Sequence, residues 1–180
     1  FSIRWHTRCP KNLTWENRLV KVDDNCPCGS LKCYAHCCHR YHGGDEFAPT
    51  AECLMRSRYS AFVIQNIDYI VQTTLPALQP LLDVAALKAW AEQTWWTYLK
   101  IISTTPKIGK RHAQVHFCAY FEELGVQRCH NEHSAFVKIN ENGQNRWYFL
   151  DPTLPITLSG KQPCLCGSGE KFKACCGKFL

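Results

Sequence analysis

No stretch of this 180-residue chain approaches the ~18–20 uninterrupted apolar residues that cross a bilayer, which argues against a membrane-spanning helix. Residues 1–22 also lack the apolar central block of a secretory leader. They carry Arg4, Arg8, Lys11, Arg18 and Lys21 instead, so the sequence predicts a cytoplasmic protein. A basic excess is missing from the middle of the chain. The formal charge of +6 arises at the ends, with five basic and one acidic residue in 1–22 and four basic and one acidic in 159–180. Disorder is excluded by the 46% hydrophobic content, enough for one medium domain with small appendages.

What the chain has in abundance is cysteine, 13 residues in all. In a chain with no leader, metal binding is a better account of them than disulfides. Two segments repeat. Cys26-Pro27-Cys28-Gly29-Ser30 leads after eight intervening residues to Cys37-Cys38, and Cys164-Leu165-Cys166-Gly167-Ser168 leads after the same interval to Cys175-Cys176. Both place an aromatic, Tyr34 or Phe172, at the same offset. Four thiolates suit a closed tetrahedral zinc site, and Cys-x-Cys delivers two sulfurs from one tight turn, with Gly29 and Gly167 free to adopt its backbone angles. The expected ligands are Cys26, Cys28, Cys37 and Cys38 in one site and Cys164, Cys166, Cys175 and Cys176 in the other. His36, His39 and Cys33 offer alternative donors at the first site; the second copy contains no histidine. Each filled site carries a net −2, so two of them offset much of the basic surplus. Such small loops have no core, and bound metal must supply their folding energy. Cys9, Cys33, Cys53, Cys118 and Cys129 remain, and they read as small apolar residues.

Between the repeats the pattern is helical, then extended. Thr50 is a candidate N-cap for a helix whose apolar face holds Leu54, Met55, Tyr59 and Phe62. A short helix covers Ile67–Val71, Pro76 and Pro80 interrupt, and Asp83 caps a helix to about Ala91. Strands are expected over 94–103, 113–121, 134–140 and 146–150, with Asn142-Gly143 a hairpin turn. Helices followed by an antiparallel meander predict an α+β fold with the helices packed on a curved sheet. In the second strand Ala113, Val115, Phe117, Ala119 and Phe121 share one face, and His112, Gln114, His116, Cys118 and Tyr120 the other. Trp95, Trp96, Tyr98, Trp147, Tyr148 and Phe149 supply core packing or the lining of a cavity. Should the fold enclose a pocket, Tyr98, His116, Glu132 and His133 are its candidate polar residues. Glu132 and His133 would form an acid–base pair there, against the alternative of a salt bridge from Glu132 to Arg56 or Arg58.

The repeated knuckle resembles the SEC-C motif, the zinc-binding tail of the SecA translocation ATPase. Two knuckles around Leu54-Met55-Arg56-Ser57-Arg58-Tyr59-Ser60-Ala61-Phe62, with Glu132-His133-Ser134-Ala135-Phe136 and Arg146-Trp147-Tyr148 downstream, resemble the bacterial YchJ family. The resemblance implies a nuclear transport factor 2-like middle domain, a cone of helices and curved antiparallel sheet that often encloses a pocket and often dimerises through the sheet. It implies four segments: an extension (1–24), a knuckle (25–42), the middle domain (45–158) and a second knuckle (161–180). It also implies two structural zinc ions and, by analogy with SecA, an interaction role with a protein partner. The family pattern Glu-Arg-Ser-Arg-Phe stands here as Glu132-His133-Ser134-Ala135-Phe136, without its two arginines.

Three functions compete on this reading. An adaptor with structural zinc comes first, with no catalytic constellation identified. Small-molecule binding or catalysis in the cone comes second. Binding of nucleic acid or a membrane surface through the basic ends comes third.

Overall fold

A computed structural model describes residues 20–180. Cys9 and most of the extension assigned to 1–24 lie outside the described residues. Four helices come first: α1 (His39–His42), α2 (Ala51–Val63), α3 (Ile67–Gln72) and α4 (Val84–Gln93). Four strands follow: β1 (Trp95–Ile108), β2 (His112–Glu123), β3 (Val126–Glu141) and β4 (Gln144–Leu150). They form one antiparallel meander in the order β1-β2-β3-β4. Among the described residues no helix is long and apolar enough to cross a membrane.

The helix boundaries have local causes. Thr50 accepts a hydrogen bond from the Cys53 amide (3.1 Å), Asn66 from Tyr69 (3.2 Å) and Asp83 from Ala86 (2.9 Å), so each start satisfies an otherwise orphaned donor. Pro76 and Pro80 lie in a short 3₁₀ segment, Pro76–Leu81, between α3 and α4. The β1–β2 connection has three residues, Gly109 to Arg111, and the other two hairpin turns have two each, Leu124-Gly125 and Asn142-Gly143. All four residues of these two-residue turns have positive φ, which matches the twist of the flanking strands.

Helix α2 is central and buried on several sides. Leu54, Met55 and Tyr59 pack on the inner face of the sheet against Ala113, Val115, Phe117 and Ala119. Ser57 turns to α3, where its hydroxyl meets Tyr69 Oη at 2.7 Å. The opposite face of the sheet is covered on its β3–β4 half. Ala135, Val137, Tyr148 and Leu150 form a second cluster there with Phe172 and the last four cysteines.

Three departures from the sequence reading bear on function. Strand β3 begins at Val126, eight residues before the expected start at 134. The β1–β2 register shifts between Trp96 and Tyr98, so Trp96 and Leu99 are both buried while Tyr98 projects from the other face and stacks on Tyr120 at 4.1 Å. Cys118 and Cys129 are not separate apolar fillers. They form a disulfide between β2 and β3, with Cα atoms 5.8 Å apart, because the strand register sets Tyr120 opposite Cys129 and Cys118 diagonally beside it.

Candidate metal centres and cavity

The two knuckles repeat at the level of individual hydrogen bonds. The Cys26 amide donates to Lys32 O and the Cys164 amide to Glu170 O, both at 2.8 Å. Tyr34 N donates to Asp24 O and Phe172 N to Gln162 O, again at 2.8 Å. Cys37 and Cys175 each donate from their amides to the carbonyl of the preceding aromatic, Tyr34 or Phe172, at 3.0 Å. Gly29 and Gly167 turn the chain at φ of 75° and 72°. Ser30 Oγ lies 3.1 Å from Cys37 Sγ and Ser168 Oγ 3.5 Å from Cys175 Sγ.

These bonds gather the sulfurs of Cys26, Cys28, Cys37 and Cys38 within 4.8 Å of one another, and likewise those of Cys164, Cys166, Cys175 and Cys176. Each set could hold a metal ion. Cys33, His36 and His39 stand outside the first set; Cys33 occupies the position of Lys171 in the second copy and forms an isolated bridge with Asn25, as Lys171 does with Pro163. The chemistry of the donors fits a cation. A hydrogen bond with Cys176 above all holds the Cys166 thiol down at about 4, and the same interaction together with burial pushes Cys176 far up. In the first set Cys28 is lowered to about 7, chiefly by Cys26, whose own thiol is raised. Four thiols this close cannot ionise together without a positive charge among them.

Neither cluster stands free. The first sits on α2, where the Ser60 hydroxyl donates to Cys38 Sγ (3.5 Å) and lies 3.7 Å from Cys26 Sγ, and Arg56 Nη1 donates to Cys28 O (2.9 Å). His42 ties the same knuckle to the helices, meeting Tyr34 Oη at 2.7 Å and Ser57 O at 2.8 Å. The second cluster sits on the outer face of the sheet, with His112 Nε2 3.4 Å from Cys176 Sγ. The His112 ring packs against Phe179 at 4.9 Å, and Arg111 and Lys110 approach Glu170 at 3.5 and 3.7 Å. His112, which strand alternation places on the same face as Tyr120, is therefore buried beneath the C-terminal knuckle.

One residue interrupts the repeat. Leu31 has φ of 61° where the second copy has Gly169 at 74°, and its side chain is 83% exposed. A side chain in this left-handed region costs about 1–2 kcal/mol, and exposure returns nothing. Leu31→Gly is expected to stabilise the first knuckle by about 1 kcal/mol. In a chelator competition this reads as roughly fivefold tighter metal retention at that site.

Between α2, α4 and the inner face of the sheet lies a cavity of about 460 Å³. Phe62, Trp90 and Trp96 make one wall, with Phe62–Trp90 and Trp90–Trp96 ring separations of 5.1 Å. Phe117, Phe136 and Phe149 contribute from the strands. The polar lining is Arg58, His130, Glu132, Ser134, Asp151 and Thr153.

Strand alternation puts His130, Glu132 and Ser134 on one face of β3. His130 Nε2 donates to Glu132 Oε2 at 2.8 Å, and Ser134 Oγ donates to Glu132 Oε1. Burial pushes the Glu132 carboxyl up. The two hydrogen bonds, with the charges of His130 and Arg58, outweigh it and hold the group below its usual value, so it is ionised. Arg58 faces it from α2. Its Nη1 donates to Ile70 O (2.8 Å) and Thr73 Oγ1 (2.7 Å), with Thr74 Oγ1 at 3.3 Å, and its guanidinium carbon lies 4.4 Å from the centre of the Phe149 ring.

Of the four polar residues proposed for a pocket, only Glu132 lines the cavity. His133 is its neighbour on a strand and so points to the other face, which dissolves the acid–base pair. There it meets His116 at 5.4 Å, and His116 hydrogen-bonds Asn131 at 2.9 Å. Tyr98 lies on that outer face because of the register shift. Nor does Glu132 bridge to arginine: Arg56 pairs with Glu52 at 2.8 Å, and no ion pair joins Arg58 to Glu132. Arg58 and His130 were missed as cavity residues. Arg58 falls on the apolar face of α2 three residues after Met55 and four before Phe62, and that intrusion of a charge was the available signal.

A family model described as the YchJ middle NTF2-like domain matches residues 50–152, and a SEC-C motif model matches 161–178. A UPF0225 protein of Actinobacillus succinogenes is 48% identical over 155 residues, 86% of this chain and 97% of the relative. One from Haemophilus influenzae is 48% identical over 157 residues, 87% and 94% of the two chains. A crystal structure of a SEC-C motif containing protein from Psychrobacter arcticus superposes with a TM-score of 0.84 at 48% identity, covering 87% of this chain and 97% of that one. The solution structure of a SEC-C motif containing protein from Rhodopseudomonas palustris gives 0.63 at 37%, covering 71% and 95%.

Proposed function

The chain belongs to the YchJ family, UPF0225, and from that premise we propose that it is a small-molecule-binding protein whose cavity is held in shape by two structural zinc ions. The observation that carries this reading is the double duty of α2. It presents Ser60 to the first sulfur cluster and Met55, Arg58, Tyr59 and Phe62 to the cavity. Zinc is the metal we assign. Zn–S bonds of about 2.3 Å in a tetrahedron separate sulfurs by about 3.8 Å. Five of the sulfur pairs here lie 3.5 to 4.0 Å apart, and the sulfurs of each set are all within 4.8 Å of one another. Cys26, Cys28, Cys37 and Cys38 would hold one ion and Cys164, Cys166, Cys175 and Cys176 the other. Sets of four sulfurs leave no open position, so the ions support structure and do not meet a substrate.

Binding is tested with 1-aminoanthracene, an uncharged fluorophore that brightens in apolar surroundings. Saturable 1:1 enhancement is expected in the native protein. Ala119→Phe, which places a ring where the wall of the cavity is smallest, should abolish it while the zinc content stays at two. Absence of saturable enhancement in the native protein would refute the reading.

A second reading, an adaptor whose first knuckle docks on a protein partner, draws on Leu31. A strained position occupied by an exposed leucine is a candidate anchor. Leu31→Gly discriminates, since it keeps the knuckle and removes the anchor. Partner capture unaffected by that change would count against the adaptor.

A further inference from the structure

The cavity's polar groups restrict what it can hold, on the reading that it binds a small molecule. Arg58 is a buried cation, only 8% exposed, on the cavity wall. All its hydrogen bonds to protein run through Nη1, which leaves the other nitrogens of the fork without a protein acceptor. No carboxylate lies within ion-pair distance of it. Glu132 and Asp151 are near enough to favour its charge and share the cavity with it. Each Glu132 oxygen accepts one hydrogen bond, from His130 or Ser134, and retains a further acceptor site.

The lining therefore offers free donors from Arg58 and a free acceptor from Glu132, with a gap between the two. An anionic occupant would satisfy Arg58 but meet the carboxylates of Glu132 and Asp151. A cationic occupant would satisfy Glu132 but meet the guanidinium. A wholly apolar one would leave both polar groups desolvated and unpaired, which cancels part of what the apolar contacts contribute and makes it the weaker ligand. The walls are aromatic, and the Arg58 fork itself is stacked on Phe149. Flat faces of this kind accept a flat ring.

We propose that the occupant is an uncharged planar heteroaromatic of lactam type, which gives a ring carbonyl oxygen to Arg58 and the adjacent ring N–H to Glu132. The aromatic walls take the rest of the ring system. The pairing is specific because a buried site built to hydrogen-bond a donor–acceptor edge rejects analogues without it far more strongly than it rejects a change of ring size.

Three bicyclic probes of similar size test this by titration calorimetry: 2-quinolinone, 2-naphthoate and naphthalene. The native protein should bind 2-quinolinone at least ten times more tightly than 2-naphthoate or naphthalene. Glu132→Gln removes the negative charge and should reverse the order of the first two, weakening 2-quinolinone about tenfold and strengthening 2-naphthoate. Naphthalene should bind both forms equally, which establishes that the variant keeps its cavity. Equal or tighter binding of 2-naphthoate by the native protein would overturn the lactam assignment while leaving small-molecule binding intact. A failure of all three probes would overturn both.

Discussion

Cys176→Ser is expected to release one of two zinc ions and to unfold far more than the residues around it. Structural zinc contributes about 10–16 kcal/mol of apparent binding free energy in small knuckles, several times the stability such a loop has without it. Cys176 is fully buried within its cluster, and replacing its thiol by a hydroxyl takes away one of the four sulfurs proposed to hold the ion. The damage spreads because the knuckle shares its hydrophobic cluster with the sheet. Phe172 packs in one group with Ala135, Val137, Tyr148 and Leu150. Once the loop opens, those four side chains lose their cover on the outer face of β3 and β4, and His112 loses its burial. Native mass spectrometry should show one zinc per chain, and hydrogen exchange should accelerate in β3 and β4 as well as in residues 160–180. Cys33→Ser is the matched control. It lies outside both clusters and should leave two zinc ions and unchanged exchange. Retention of two ions by the Cys176 variant would refute the ligand assignment.

The knuckles were legible in the sequence because everything that builds them is local. Ligand spacing, turn glycine, serine and aromatic all fall within thirteen residues, and the second copy confirms the first. The helices were legible for a similar reason, with Thr50 and Asp83 marking starts through their own hydrogen bonds. The cavity was not. The strand pattern is read from alternation of apolar and polar residues, and the first half of β3 does not alternate in that way. Arg128, His130 and Glu132 all stand on its inner face, where a packed core would have required apolar residues. The segment therefore read as a loop because its job is to line a space. Tyr98 was misassigned through the register shift at Thr97, which leaves no trace in the pattern. The Cys118–Cys129 bond depends on the pairing of Tyr120 with Cys129, and pairing register is a property of the assembled sheet.

Arg58→Met should leave the fold at least as stable as before while removing ligand recognition, a combination that separates a functional buried charge from a structural one. A guanidinium taken out of water loses several kcal/mol of solvation, and burial, partly offset by Tyr69, Asp151 and Glu132, pushes its pKa down to about 10. Against this stand two good hydrogen bonds, to Ile70 O and Thr73 Oγ1, worth about 1.5–3 kcal/mol each from a charged donor. The balance is decided by what the mutation leaves behind. Deleting one member of a buried pair is costly when its partner becomes an orphan. Here it does not. Ile70 O still accepts from Thr74 Oγ1 at 2.9 Å and from Thr73 Oγ1 at 3.4 Å, and Thr73 Oγ1 still donates to Tyr69 O at 2.6 Å. Methionine fills similar length with an apolar, adaptable chain beside Phe149 and Phe136. Urea unfolding should show a gain of about 1–2 kcal/mol, or a midpoint on heating raised by roughly 2–8 °C at this chain length. Binding of 2-quinolinone should fall by about a hundredfold, since the carbonyl then faces no donor. A loss of stability greater than about 2 kcal/mol would make Arg58 a structural tie between α2 and the end of α3, and would remove the reason for reading its free nitrogens as a ligand contact.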